Sequence, residues 1–214
     1  NDFLKGNEEA KVLINSDKSD TEEVLVSYFF RTFDEMPEIE QYALSQCKGK
    51  VLDIGAGVGS HSIYLQSKGF DVSALEIKSG LADIIKLRGL TSVYCDDFYG
   101  FSADKFDTLL LLMNGIGLVA DFNGLERFLK HAKTLLNKGG SIILDSSDLL
   151  YLYEEEDGSF LIDLNADYYG VVEYNFEYKG FVSENFKWLY IDYNQLKFYA
   201  ENAGFICEML KEGP

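Results

Sequence analysis

Basic residues are in short supply. Lys and Arg number 19 against 36 Asp and Glu, a formal net charge of −17 over 214 residues. A polyanion repels phosphate backbones at long range, and no local Lys/Arg cluster reverses this, so neither nucleic acid nor an anionic membrane surface is the expected partner. Proline is scarce, with 2 residues, which leaves no stiff linker between separate domains. A single sizeable core is expected of a chain this long. The 3 cysteines, Cys47, Cys95 and Cys207, are odd in number, far apart and never spaced C-x-x-C. That tells against a disulfide framework and a zinc site and fits reduced thiols in a cytoplasmic protein. No cluster of metal-ligating residues stands out. No apolar run approaches the ~20 residues that cross a bilayer; the richest, Leu109–Met113, is strand-sized. No signal peptide is visible, although the chain opens on Asn1 and not on Met.

What is present is a globular composition, 47% hydrophobic, with 14 Tyr and 16 Phe. Strand and helix signals alternate from Gly49 to about Asp145, the pattern of βαβ units and a mostly parallel sheet. Strands are expected at Lys50–Ile54, Asp71–Leu75, Ser92–Cys95, Phe106–Met113 and Ser141–Asp145. The unbroken apolar run of the fourth suits a central strand buried on both faces. Helices are expected at Ser62–Lys68, stopped by Gly69, at Ser79–Arg88, stopped by Gly89, and at Leu125–Leu136. For the last, Asn123 and Glu126 stand three apart as in a capping box, and Asn137–Gly140 reads as a turn. Pro37 opens a helix to Cys47. Upstream, residues 1–23 are polar and expected to be loose, and Val24–Phe30 extended. Downstream, Glu154–Asp157 reads as a solvated acidic loop. Tyr174, Phe176 and Tyr178 alternate with polar residues, as do Phe186, Trp188 and Tyr190, and Lys179-Gly180 lies between them. This predicts an antiparallel hairpin. A helix over Tyr193–Ala203 and a strand over Phe205–Lys211 close the chain.

The informative segment is Val51-Leu52-Asp53-Ile54-Gly55-Ala56-Gly57-Val58-Gly59-Ser60-His61. A strand runs into three glycines at alternate positions and then into a helix. Glycines let the chain turn sharply and let a ligand approach the backbone. The helix start behind them offers free N–H groups and a positive partial charge. A dinucleotide site wants G-x-G-x-x-G with a diphosphate on the helix end; here the sixth position is Ser60. Asp53, two residues before Gly55, would repel a diphosphate and attract an ammonium group.

VLDIGAGVGSHS resembles the first motif of class I S-adenosylmethionine-dependent methyltransferases, and further matches follow in register across about Gly49–Asp148. Glu76 closes the second strand where that family carries the acid for the ribose hydroxyls, with Ile77 beside it. Asp96 and Asp97 follow the third strand, where the family places an acid near the adenine amino group and a backbone N–H to the ring. Asn114, with Gly115 and Gly117, follows the fourth, on the methyl-donor and substrate side. Leu135–Gly140 is similar to the family's L-L-x-P-G-G turn, with Lys138 in place of Pro. The resemblance implies a Rossmann-like α/β fold of seven strands, or six within this chain, in the order 3-2-1-4-5-7-6. It implies a single domain with a C-terminal β-hairpin insertion, in which a cap segment, 1–48, precedes a methyltransferase domain, 49–214. It implies S-adenosylmethionine as cofactor, held by Asp53, Gly55, Ala56, Gly57, Glu76, Ile77, Asp96, Asp97 and Asn114, and in-line methyl transfer to an unidentified, small-molecule acceptor. The residues leave two alternatives open: a nicotinamide-dependent oxidoreductase of similar topology, or a non-catalytic cofactor-binding module.

Other residues have two readings each. His61 is a general base near the acceptor or, the favoured reading, packing in the first helical turn. His131 reads as a surface residue. Arg31 meets a cofactor or substrate carboxylate, or only accompanies core aromatics. Trp188, Tyr174 and Tyr178 pack the hairpin by default and otherwise wall a substrate.

Overall fold

The computed structural model describes residues 2–163, 165 and 167–213. In chain order the strands and helices are β1 (Lys11–Ser16), β2 (Glu22–Leu25), α1 (Glu38–Gln46), β3 (Lys50–Ile54), α2 (Ser60–Ser67), β4 (Asp71–Leu75), α3 (Ser79–Leu87), β5 (Val93–Tyr94), β6 (Phe106–Leu111), α4 (Phe122–Leu135), β7 (Leu136–Leu144), β8 (Val171–Tyr178), β9 (Phe181–Val182), β10 (Phe186–Leu189) and α5 (Tyr193–Asn202). A parallel sheet runs β5-β4-β3-β6-β7. Its interior strand β6, between β3 and β7, is buried on both faces, as the apolar run of residues 109–112 requires. Leu109 and Leu111 enter one core with Phe128 and Leu129 of α4. Leu110 and Leu112 enter the other with Leu44 of α1, Leu65 of α2 and Ile85 of α3.

The sheet has five parallel strands, fewer than the seven or six expected, and its order is the 3-2-1-4-5 part of the expected order. Residues 205–211 do not form the expected strand. They line an open cavity at the outer edge of β7, and no described strand pairs with them in a ladder. The expected turn at Asn137–Gly140 is a bulge in β7. Phe106 pairs Leu136, pairing resumes at Thr108 with Ser141, and Asn137 donates across the bulge to Asp107 at 2.8 Å.

The N-terminal residues are not loose. β1 pairs antiparallel with β2 and with β8, Leu13 opposite Glu177, so the first residues and the C-terminal hairpin share one sheet in the order β10-β8-β1-β2, with β9 on β8. Val24–Phe30 is extended only to Leu25; Val26–Phe30 is a 3₁₀ turn. α4 begins before the expected box: Asp121 is its N-cap and accepts from Gly124 N at 2.8 Å. His131 is half-buried, edge-on to Phe98 and bonded to the Phe101 carbonyl at 3.0 Å. Asp192 caps α5, accepting from Asn194 N at 2.9 Å and Gln195 N at 3.0 Å, and its other oxygen takes Tyr168 OH at 2.6 Å. Asp192→Ala is expected to cost about 1–2 kcal/mol, the upper range for a cap, because the Tyr168 hydroxyl loses its acceptor as well, keeping only the Asp192 N–H at 3.3 Å. Urea unfolding measures this, and a loss below about 0.5 kcal/mol would contradict it.

Candidate active site

Parallel strands all point their C-terminal ends at one rim, and the residues closing them meet there. Along this rim lie Asp96 and Asp97 after β5, Glu76 and Ile77 after β4, Asp53 in β3, Asn114 after β6 and Asp145 after β7.

The glycine bend joins β3 to α2. Gly55, Gly57 and Gly59 all take positive φ, +70°, +58° and +83°, and a Cβ on Gly57 would project into open space. Ala56 is buried beneath the bend. The bend is tied to β4 at three points: Gly55 N and Ala56 N donate to the Leu75 carbonyl, and Gly57 N donates to Glu76 Oε2 at 2.9 Å. Glu76 Oε1 takes Lys78 N at 2.9 Å. A carboxylate has about four lone-pair positions, so Glu76 keeps acceptor capacity for a ligand while it holds the bend. Burial raises its pKa, and those two N–H bonds oppose the rise.

Asp53 lies under the bend at 2% exposure, with its carboxylate toward α2, where it accepts from Ser62 Oγ at 2.6 Å. Burial raises its pKa against the influence of His61 and Ser62. The same burial, with Asp53 nearby, pushes the Cys47 thiol up to about 12. Ile77 is 59% exposed, an apolar platform beside Glu76. Asp96 and Asp97 are exposed; Asp97 N donates to Asp96 Oδ1 at 2.8 Å, so in this structure that N–H serves the neighbouring side chain.

Asn114 sits buried at the start of a 3₁₀ turn (Gly115–Val119), with φ +53° after Met113 at +61°. Two successive non-glycine residues in the left-handed region are strained and persist only where surroundings hold them. Here Asn114 N donates to Asp145 Oδ1 at 2.9 Å, its Nδ2 to the Leu189 carbonyl at 3.2 Å, and Trp188 Nε1 to the Asn114 carbonyl at 3.0 Å. The indole lies directly over Gly117, where a Cβ would fall 2.0 Å from Nε1. Gly117→Ala is therefore expected to displace Trp188 and cost about 1–3 kcal/mol by overpacking. Trp188 fluorescence through the unfolding transition tests this; an unshifted emission with an unchanged midpoint would refute it.

Sequence reasoning missed two features. One is a buried chain in which Arg31 pairs with Glu40 Oε1 and Glu40 Oε2 meets His61 Nε2 at 2.7 Å. Glu40 carried no signal, being one of two acids in the first turn of α1. His61 thus packs as favoured, but against a carboxylate. The other is Asp145, whose pKa burial pushes up to about 6. The signal that marked Glu76, an acid closing a buried strand, marks Asp145 equally.

This sheet order, an open glycine bend on the first strand and acids closing the strands beside it define the class I methyltransferase architecture. The family described as methyltransferase domain matches residues 28–206. The chain belongs to this family, and with it to the class I S-adenosylmethionine-dependent methyltransferases. It is similar to an S-adenosylmethionine-dependent methyltransferase from Bacteroides fragilis, solved in complex with S-adenosyl-L-homocysteine, at 38% identity and a TM-score of 0.92 over 100% of this chain and 87% of that one. It shares the fold of a methyltransferase from Clostridium acetobutylicum, at 16% identity and a TM-score of 0.56 over 82% and 85% of the two chains. The CcbJ methyltransferase from Streptomyces caelestis has it too, at 14% identity and a TM-score of 0.58 over 80% and 83%. No curated protein matches the chain. Among the described residues no helix is long and apolar enough to cross a membrane.

Proposed function

We propose that S-adenosylmethionine lies along the rim from Asp96 to Asn114 and that the methyl acceptor is a small molecule in the cytoplasm. The observation that carries this is the bond from Gly57 N to Glu76 Oε2, which joins an open glycine bend and the second-strand acid into one cradle. The residues suit the ligand's parts. Glu76 retains lone pairs for a ribose diol, and charge-assisted bonds of that kind are strong. Ile77 offers an adenine ring an apolar face, and Asp96 and Asp97 flank it. Gly55, Ala56 and Gly57 line the path of the chain linking ribose to amino acid. Asp53, beneath them, sets a negative field for the ammonium group, and Asn114 borders the methyl side. Arg31 Nε is buried with no hydrogen-bond partner among the described residues, an N–H that suits a carboxylate. Residues 1–48 act as a cap over the domain 49–214: Ser60 Oγ donates to the Phe29 carbonyl at 2.8 Å, and Arg31 reaches the site through Glu40. The −17 charge supports an acceptor other than nucleic acid.

When bound, the cofactor supplies an already activated sulfonium methyl group. The residues of the chain hold the two reactants in line, an effect worth on the order of 7–11 kcal/mol. Calorimetry with S-adenosylmethionine tests the cradle. Heat of binding is expected from the wild type and a weakened signal from Asp53→Ala. No heat from the wild type overturns the reading, and full affinity in both Asp53→Ala and Glu76→Ala overturns the site assignment.

A further inference from the structure

Beside Asp145, the hydrogen-bond partner of Asn114 on the rim, a cavity of about 1460 Å³ opens. One wall is the segment after β7, with Asp145, Asp148 and Tyr151. A second is the antiparallel sheet, with Tyr174, Tyr190 and Glu22, and the outer edge of β7 with residues 204–213 completes the lining. Asp145 stands at the junction. Its Oδ1 is fixed by Asn114 N at 2.9 Å, and the side chain lines the cavity. Opposite, Tyr174 and Tyr190 share a hydroxyl–hydroxyl bond of 2.9 Å. Burial holds both phenols above their ordinary pKa, so they present neutral oxygens and ring faces.

The lining carries six carboxylates, Glu22, Asp145, Asp148, Asp192, Glu208 and Glu212, against two lysines. Both lysines are already engaged: Lys18 with Asp17 at 3.4 Å and Lys211 with Glu38 at 3.1 Å. Carboxylates beside aromatic faces attract a cation and repel a carboxylic acid or a phosphate.

Resting on the function proposed above, we infer that the methyl acceptor is an amine, bound as its ammonium ion between Tyr190 and Asp145, and that the Asp145 carboxylate takes the proton that frees the nitrogen lone pair. The step balances. R–NH₃⁺ passes one proton to Asp145, giving R–NH₂ and a neutral carboxyl. The nitrogen lone pair forms the new N–C bond, the S–C bond breaks and its electron pair stays on sulfur. The product is R–NH₂⁺–CH₃, and Asp145 returns its proton to solvent through the cavity. An alcohol is a poor match, because its proton is held far too tightly for a carboxylate to remove.

The groups facing Asp145 are Glu40 from α1, His61 from α2, the Asn114 N–H after β6 and Tyr190 across the cavity, with Arg31 behind Glu40. Burial and Glu40 raise the Asp145 pKa while Asn114 and His61 oppose them, so Asp145 is ionised above about pH 6 and able to act as a base at neutral pH.

The test loads the protein with S-adenosylhomocysteine and compares benzylamine with benzyl alcohol, and butylamine with butanol. Readouts are melting temperature and, with S-adenosylmethionine, release of S-adenosylhomocysteine. The amines are expected to raise the melting temperature more than their alcohols and to be the better acceptors, on the order of tenfold or more. That advantage should fade as pH falls through about 6, and Asp145→Asn should abolish both it and the pH dependence. Glu22→Gln, on the exposed rim, should weaken amine binding several-fold and serves where Asp145→Asn fails to fold. If S-adenosylhomocysteine does not bind the wild type, the function proposed above fails. If it binds and the amines show no advantage, or Asp145→Asn or Glu22→Gln retains the whole of it, this inference is overturned.

Discussion

Glu40→Ala is expected to lower the unfolding free energy by about 3–5 kcal/mol, the range for removing one partner of a buried ion pair. The Arg31 and Glu40 side chains are both almost wholly buried. With Glu40 gone, Arg31 keeps its charge, the Tyr28 carbonyl at 3.0 Å and the Tyr28 ring at 4.2 Å, but no counter-ion. Its Nε has no partner among the described residues, so the guanidinium has little with which to replace its lost hydration. His61 loses its Nε2 partner in the same stroke. Burial drives the Glu40 pKa up, but bonds to His61 and Arg31 overcome it and the net shift is downward. A carboxylate with a lowered folded pKa stabilises the fold above the ordinary carboxylate range, and that contribution is lost as pH falls through the folded value. Wild-type stability should therefore drop in acid more steeply than that of Glu40→Ala. Urea unfolding at neutral and acid pH gives both quantities; a neutral-pH loss below about 1 kcal/mol would show that the pair is compensated elsewhere.

Glu76→Ala is expected to weaken S-adenosylmethionine binding by about 100-fold, or about 2.7 kcal/mol. Two losses combine. Bonds to a charged carboxylate are worth about 1.5–3 kcal/mol each, and the variant offers the ribose none. The Gly57 N–H also loses its acceptor, and the bend is left to its two bonds with the Leu75 carbonyl. Because burial raises the Glu76 pKa, wild-type affinity should begin to fall with decreasing pH before an exposed glutamate would protonate, whereas the residual affinity of the variant should lack that component. Calorimetry across pH separates these. An affinity within threefold of wild type would leave Glu76 as a brace for the bend and nothing more.

The amino-acid sequence by itself determined the parallel half of the molecule. Local patterns carry it: an unbroken apolar run in β6, a helical apolar stripe in α4, glycines where the chain must reverse, and acids at the ends of β3 and β4. Parallel pairing then brings strand ends to one rim without further information, so Glu76 and Gly57 were legible as neighbours. Only the tertiary structure decided how the antiparallel sheet is assembled. The pairing of Leu13 with Glu177 and of Ser16 with Tyr174 joins segments about 160 residues apart, and the alternation of Tyr174, Phe176 and Tyr178 marks a strand without saying which distant strand lies beside it. The same holds for Arg31, Glu40 and His61, which come from three separate segments and meet because packing excludes water around them. A buried charge must find a partner, but nothing in the spacing of residues along a chain says which one.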